Sequence, residues 1–66
     1  MALRGPYLLS EVSLRVQPAS MGVYVLSRNG TEKSYVGRSD SDLQQRISNS
    51  ASQGNYVAFW FDYASS

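Results

Sequence analysis

The chain has neither cysteine nor histidine among its 66 residues. It therefore cannot form a disulfide or a zinc site built on cysteine or histidine ligands. The same absence excludes a cysteine nucleophile and any catalytic triad that uses a histidine base. A chain without cysteine fits a reducing compartment, and we expect a cytoplasmic location. Its length allows one small domain of modest stability at most.

The chain also has no large excess of positive or negative charge. The net charge is +1, and the lysines and arginines do not gather into a stripe. Electrostatics alone therefore does not predict a nucleic-acid partner. No apolar run approaches membrane-spanning length, so we expect no membrane association. The hydrophobic fraction of 42% is ordinary for a globular chain and argues against disorder.

The first 20 residues give no single prediction. Gly5-Pro6 indicates a turn or a loose start. Apolar and polar residues alternate from Val12 to Val16, which favours a strand, whereas Ser10-Glu11 equally suits the start of a short helix. We leave residues 1–20 as a segment of uncertain structure, and we take residues 21–66 as the domain proper.

A β-hairpin is the clearest local prediction. Gly22–Leu26 and Lys33–Gly37 are rich in strand-forming residues. Asn29-Gly30 lies between them, and this dipeptide favours a type I′ turn because it tolerates positive φ at both central positions. The pattern therefore predicts two antiparallel strands joined by a tight turn.

A helix and a third strand follow the hairpin. Ser41 and Gln44 fit a capping box, which predicts a helix start, and Gly54 is a plausible residue to close the helix. Tyr56–Tyr63 is predicted to be a strand because of its aromatic and β-branched content. One apolar stripe on the helix would face the core: Leu43, Ile47 and Ala51. The fold class is predicted as α+β, with a small three-stranded antiparallel sheet and one or two packed helices.

Both faces of the last predicted strand are mostly apolar, so both need cover. Either residues 1–20 or a segment following Ser66 would provide it. If neither does, the exposed aromatic strand predicts self-association.

Gly22-Val23-Tyr24 and Tyr35-Val36-Gly37 resemble the two halves of the GIY-YIG nuclease signature. Ten residues separate the two tripeptides, and the predicted hairpin joins them as in that family. Arg38-Ser39 follows, and the predicted helix carries Arg46, near the position of a helical active-site arginine in the family. The resemblance covers about two-thirds of the chain, from Gly22 to Tyr63.

The resemblance implies metal-dependent hydrolysis of DNA phosphodiester bonds. By that likeness Tyr24 and Tyr35 contact the attacking water, and one of them is the general base. Arg46 would stabilise charge on the transferring phosphate, for which a guanidinium is well shaped. The signature glycines Gly22 and Gly37 would have structural roles. The family also uses Mg²⁺ or another divalent cation.

Arg38 and Ser39 would contact the nucleic acid in a domain of this kind. Arg46 falls one residue later than is common in the family, which a longer loop before the helix explains. The metal-binding glutamate belongs to a later helix, and we expect this chain to stop before that helix. Glu11 and Glu32 do not match its position. We therefore expect an inactive or incomplete nuclease in this 66-residue form: a fragment, a truncated coding sequence, or a degenerate domain kept for binding.

Simpler interpretations stand beside these roles. Tyr24 and Tyr35 could be a cross-strand aromatic pair that stabilises the hairpin. Arg46 could pair with Asp42, one helical turn earlier. Two other function classes also remain open. One is a non-catalytic nucleic-acid-binding module, and the other is a small protein-interaction module that uses the aromatic strand.

Five further residues have two interpretations each. Arg38 and Ser39 could be loop and cap residues rather than ligands. Trp60 and Tyr56 could stack on bases, or they could belong to the core. Asp62 lies on the last predicted strand and could face a metal ion, although the resemblance does not assign it that role.

Overall fold

The computed structural model describes residues 3–64 and contains one antiparallel sheet with helices. Its elements in chain order are β1 (Arg4–Leu8), a short 3-10 turn (Leu9–Glu11), α1 (Val12–Arg15), β2 (Gly22–Ser27), β3 (Tyr35–Ser39), α2 (Leu43–Ala51) and β4 (Ala58–Tyr63). The strand order in the sheet is β1-β4-β2-β3, so β4 and β2 are central. The predicted α+β class is confirmed. Neither helix within residues 3–64 is long and apolar enough to cross a membrane.

The predicted number of strands is wrong, because the sheet has four strands rather than three. β1 pairs antiparallel with β4, and the ladder is irregular between Arg4 and Tyr7. Gly5 and Pro6 lie at this irregularity. Proline has no N–H to donate to a ladder and is tolerated at edges and bulges, so an edge strand can hold it. A strand interrupted in this way has no regular alternation, and its sequence therefore resembles a turn.

The ambiguous segment after β1 forms a single helical turn, α1, rather than a strand. Val12 and Val16 are four residues apart, so a helix directs them to one side. Val16 is buried in the core, whereas Leu14 between them is 81% exposed. Apolar residues at every second position, as in a strand, also include a pair four residues apart, as in a helix. Packing of the helix decided that this segment is helical rather than extended.

The hairpin of β2 and β3 forms as predicted, but its turn does not. The loop spans residues 28–34, which is longer than a two-residue type I′ turn. Gly30 has a φ of +86°, whereas Asn29 does not have a positive φ. The Asn29 side-chain oxygen instead accepts the backbone N–H groups of Thr31 (2.9 Å) and Glu32 (2.8 Å). Asn29 therefore organises a wider loop through its side chain.

α2 starts one residue later than the capping box predicted. Its N-cap is Asp42, whose carboxylate accepts the backbone N–H of Gln45 at 3.1 Å. Ser41 is therefore not the cap, and Gln44 instead donates its side-chain amide to the Val16 carbonyl at 2.7 Å. Gly54 does not close the helix, because its φ is not positive.

The core lies between the helices and one face of the sheet. Its buried members are Val16, Tyr24, Leu26, Leu43, Ile47, Phe59 and Phe61. Trp60 points to the other face of β4, yet it is only 8% exposed. The Lys33 ammonium lies 4.8 Å from the Trp60 ring centroid, and a Cβ on Gly5 would be 3.0 Å from that ring. These neighbours supply cover that the sequence could not assign.

The aromatic strand is central rather than exposed. β4 pairs with β1 on one side and with β2 on the other, so both of its backbone edges are occupied. Phe59, Trp60 and Phe61 are all buried. The prediction of self-association assumed an exposed aromatic strand, whereas the strand is buried. Self-association therefore stays a prediction, without this argument in its favour.

Candidate functional site

The signature tyrosines lie on the same face of the sheet. Tyr24 on β2 is opposite Gly37 on β3, and Tyr35 is opposite Leu26. Because side chains alternate between faces along a strand, this register directs both rings toward α2. The Tyr24 and Tyr35 ring centroids are 6.2 Å apart. The two halves of the motif therefore bring their tyrosines together, as either interpretation of the pair requires.

Tyr24 is buried beneath α2. It is 1% exposed, and its hydroxyl oxygen lies 2.7 Å from the Ser50 hydroxyl oxygen. Gly37 leaves the room for this ring, because a Cβ at position 37 would overlap the Tyr24 ring and hydroxyl. The glycine of the second motif half is therefore explained by the tyrosine of the first.

Burial raises the pKa of Tyr24 above its usual value of 10.0. The hydrogen bond with Ser50 acts in the opposite direction, the neighbouring Tyr35 raises the pKa further, and the Arg46 cation lowers it. A general base needs access to water and a pKa lowered toward the working pH. Tyr24 has neither property, so its environment favours a structural role.

The Tyr24→Phe variant should lose the Ser50 hydrogen bond and about 0.5–1.5 kcal/mol of stability at pH 7. The raised pKa means that folding favours the protonated phenol. The Tyr24 contribution is therefore fully present below pH ~10 and is lost as pH rises through the folded-state pKa. Urea unfolding should give a wild-type advantage over Tyr24→Phe that shrinks above pH ~10. An advantage that grows there would contradict the direction of the shift.

A small pocket opens beside Tyr35. It has a volume of about 130 Å³ and is lined by Tyr35, Ser50, Gln53 and Tyr56. Tyr35 is 45% exposed, and its ring centroid is 6.4 Å from that of Tyr56. Sequence reasoning singled out Tyr35, but it assigned no pocket to Ser50 and Gln53. Their three-residue spacing around the end of α2 was the available signal, and it is common in helices.

One arginine contacts a ring of this pocket, and a second lies on the same helical face as Ser50. The Arg28 guanidinium carbon lies 4.9 Å from the Tyr56 ring centroid, within the range of a cation–π contact. Arg46 is exposed and precedes Ser50 by four residues on α2, which puts both on one helical face. Its effect on the pKa of Tyr24 is consistent with that position. Arg46 therefore lies on the tyrosine side of the sheet.

Arg38 and Ser39 are not gathered at the pocket. Arg38 is adjacent to Gly37, so the strand pleat turns its side chain to the opposite face, where it pairs with Asp40 at 2.9 Å. Ser39 is buried, and its hydroxyl oxygen accepts the Asp42 backbone N–H at 3.1 Å. These contacts favour a surface ion pair for Arg38 and a turn-stabilising role for Ser39.

The alternative ion pair between Arg46 and Asp42 does not form. Within residues 3–64 the salt bridges are Arg15–Glu11 and Arg38–Asp40. The Asp42 carboxylate instead caps α2. Arg46 is therefore available to an external anion in the described part of the chain.

The pocket does not fit a divalent cation. Its four lining residues include no carboxylate. Across residues 3–64, no three acidic side chains come together as metal ligands. Asp62 lies opposite Val23, on the face away from Tyr24, so it does not approach the tyrosines. A hard cation such as Mg²⁺ requires carboxylate or similar oxygen ligands, and the lining of this pocket supplies no carboxylate.

Neither a family model nor a curated protein nor a solved structure matches this chain. The likeness to GIY-YIG nucleases therefore depends on the two tripeptides, their spacing and Arg46. The architecture from Gly22 onward has the expected order of hairpin, helix and strand.

Proposed function

We propose that this chain is a GIY-YIG-like domain that binds nucleic acid without a hydrolytic step of its own. Binding uses a patch that we call the tyrosine surface, which consists of Arg28, Tyr35, Arg46, Ser50, Gln53 and Tyr56. The observation that carries the proposal is the pocket between Tyr35 and Tyr56, with the Arg28 guanidinium 4.9 Å from the Tyr56 ring centroid. DNA is the proposed partner.

The chemistry of the tyrosine surface suits an unpaired nucleotide. An exposed aromatic ring such as Tyr35 can stack on a base, which contributes about 1–3 kcal/mol per base. Arg28 and Arg46 can each meet a phosphate through charge-assisted hydrogen bonds. Ser50 and Gln53 offer hydroxyl and amide groups, which can both donate and accept hydrogen bonds.

Only two cations serve this surface, so binding should be weak and sensitive to salt. Neutralising two phosphates of a single strand corresponds to a slope of about −1.4 for the logarithm of affinity against the logarithm of salt concentration. This modest slope agrees with a net charge of +1. A steeper slope would require cations outside the tyrosine surface.

Fluorescence anisotropy with a labelled single-stranded DNA of about 20 nucleotides tests the proposal. Arg28→Gln and Arg46→Gln should each weaken binding about five- to tenfold and reduce the salt slope by about 0.7. Arg38→Gln removes the same charge from the opposite face, and its affinity should stay within about twofold of wild type.

Three results would overturn this assignment. If Arg38→Gln weakens binding as much as Arg46→Gln, the contact is diffuse electrostatics rather than the tyrosine surface. If wild type does not bind DNA even at low salt, the nucleic-acid proposal fails. Cleavage with added Mg²⁺ that is lost in Arg46→Ala would instead identify the chain as an enzyme.

A further inference from the structure

A second and larger cavity lies at the opposite edge of the sheet from the tyrosine surface. Its volume is about 370 Å³, within the usual range of small-molecule sites. We call it the Arg4 cavity. It lies between β1, α1, the segment after α1 and the end of β4, and its walls include Arg4, Leu14, Arg15, Val16, Pro18 and Tyr63.

The cavity carries positive charge that is already positioned. The Arg4 guanidinium carbon lies 5.3 Å from the Tyr63 ring centroid and 5.8 Å from that of Phe61. The Arg15 guanidinium carbon lies 4.6 Å from the Tyr7 ring centroid. Contacts with rings restrict these long side chains before a ligand arrives, which lowers the entropy cost of binding.

The two arginines differ in their availability to a ligand. The Arg15 Nε donates to the Glu11 carboxylate at 2.9 Å, so part of its charge is already compensated. Arg4 has no carboxylate partner within residues 3–64, where the salt bridges are those of Arg15 and Arg38. No residue lining the cavity is acidic. Arg4 is therefore the principal anchor for an anion.

Tyr63 adds a hydrogen-bond donor. Its hydroxyl oxygen accepts the backbone N–H of Gln17 at 3.0 Å, which leaves the phenolic proton for another acceptor. The other lining residues are mixed: Leu14, Val16 and Pro18 are apolar, and Ser13 and Gln17 are polar. Leu14 is 81% exposed, and Pro18 lies close to it in sequence. The Arg4 cation and the Tyr63 hydroxyl donor therefore lie in one cavity with the aliphatic side chains of Leu14 and Pro18.

We propose that the Arg4 cavity binds a small organic anion with a compact apolar or aromatic body. The anionic group, a carboxylate or a phosphate, pairs with Arg4 and accepts the Tyr63 phenolic proton. The apolar body lies against Leu14 and Pro18. This site uses no residue of the tyrosine surface, so it is independent of DNA binding.

A titration of the full chain with sodium benzoate, followed by two-dimensional amide NMR, tests this site. Benzoate should shift the amide signals of Leu14, Gln17 and Tyr63. The neutral analogue benzamide should bind about five- to tenfold more weakly, because it lacks the charge-assisted contact with Arg4. Acetate keeps the charge without the ring and should also bind more weakly. A parallel titration with phenyl phosphate decides which of the two anionic groups is preferred.

Two variants locate the contacts. Arg4→Gln should reduce benzoate affinity about five- to tenfold and leave benzamide binding unchanged. Leu14→Ala should weaken both, and it should fold normally because Leu14 is exposed. Arg38→Gln is the matched control and should bind benzoate as wild type does. Equal binding of benzoate and benzamide, or a wild-type benzoate affinity in Arg4→Gln and Leu14→Ala, would overturn the proposal.

Discussion

Replacing Gly22 with alanine should leave most of the chain unfolded at 25 °C. A Cβ at this position would overlap the carbonyl oxygen of Asp62 and would approach a Leu43 methyl group to 3.1 Å. The oxygen belongs to the backbone of β4, which pairs with β2 along its whole length. It cannot move away without breaking the ladder between the two central strands.

The effect is large relative to the stability available. A domain of this length has a free energy of unfolding of about 3–10 kcal/mol, so a disrupted central ladder can consume most of it. Urea unfolding followed by Trp60 fluorescence measures the loss. Gly30→Ala is the matched control, since nothing lies within 4 Å of its Cβ position. That variant should lose only about 1–2 kcal/mol, from its positive φ.

The comparison separates close packing from backbone conformation. If Gly22→Ala were as stable as Gly30→Ala, β2 and β4 would have to lie farther apart than their register requires. The signature glycine Gly22 would then need an explanation other than the approach of Asp62. DNA binding does not affect this comparison of stabilities, because urea unfolding is measured on the free chain.

Phe59→Ala should lower the free energy of unfolding by about 3–5 kcal/mol, as expected for a large aromatic side chain removed from a core. Phe59 is fully buried on β4. Its ring centroid lies 5.7 Å from that of Tyr7 and 5.9 Å from that of Phe61. The alanine variant would therefore leave a cavity where the first and last strands meet under the helices.

Val36→Ala provides the control for Phe59→Ala. Val36 also lies on a strand but is 68% exposed, so its truncation should change stability by less than about 0.5 kcal/mol. Chemical denaturation of the three proteins at one temperature gives both differences. Similar losses for the two variants would mean that the helices do not cover the Phe59 face of the sheet.

The elements predicted correctly are those specified by neighbouring residues. The hairpin follows from Gly22–Leu26 and its partner strand, and α2 follows from the spacing of Leu43 and Ile47. β1 escaped prediction because Gly5-Pro6 interrupts it, and only its long-range partner β4 makes it a strand. Local patterns contain no information about such a partner.

The features of the candidate site also separate into those that follow from local sequence and those that depend on distant segments. The tripeptide spacing predicted that Tyr24 and Tyr35 would meet, and their rings are neighbours. The burial of Tyr24 was not predictable, because it depends on Ser50 from a helix 26 residues later. The pocket formed with Tyr56 likewise requires the fold of the whole sheet. Contacts between segments that are distant in sequence therefore decide whether a tyrosine of the motif has a catalytic or a structural role.

The position of β4 between β1 and β2 has a consequence for the order of folding. Leu8 pairs with Ala58, which is 50 residues later in the sequence. During synthesis on the ribosome, the β2–β3 hairpin can form early because its strands are close in sequence. β1 must wait for β4, which is its neighbour in the sheet formed by residues 3–64. The nascent chain therefore keeps Tyr7 and its neighbours unpaired until residues 58–63 have emerged, and the pairing of β1 with β4 then brings together segments from opposite ends of the described chain.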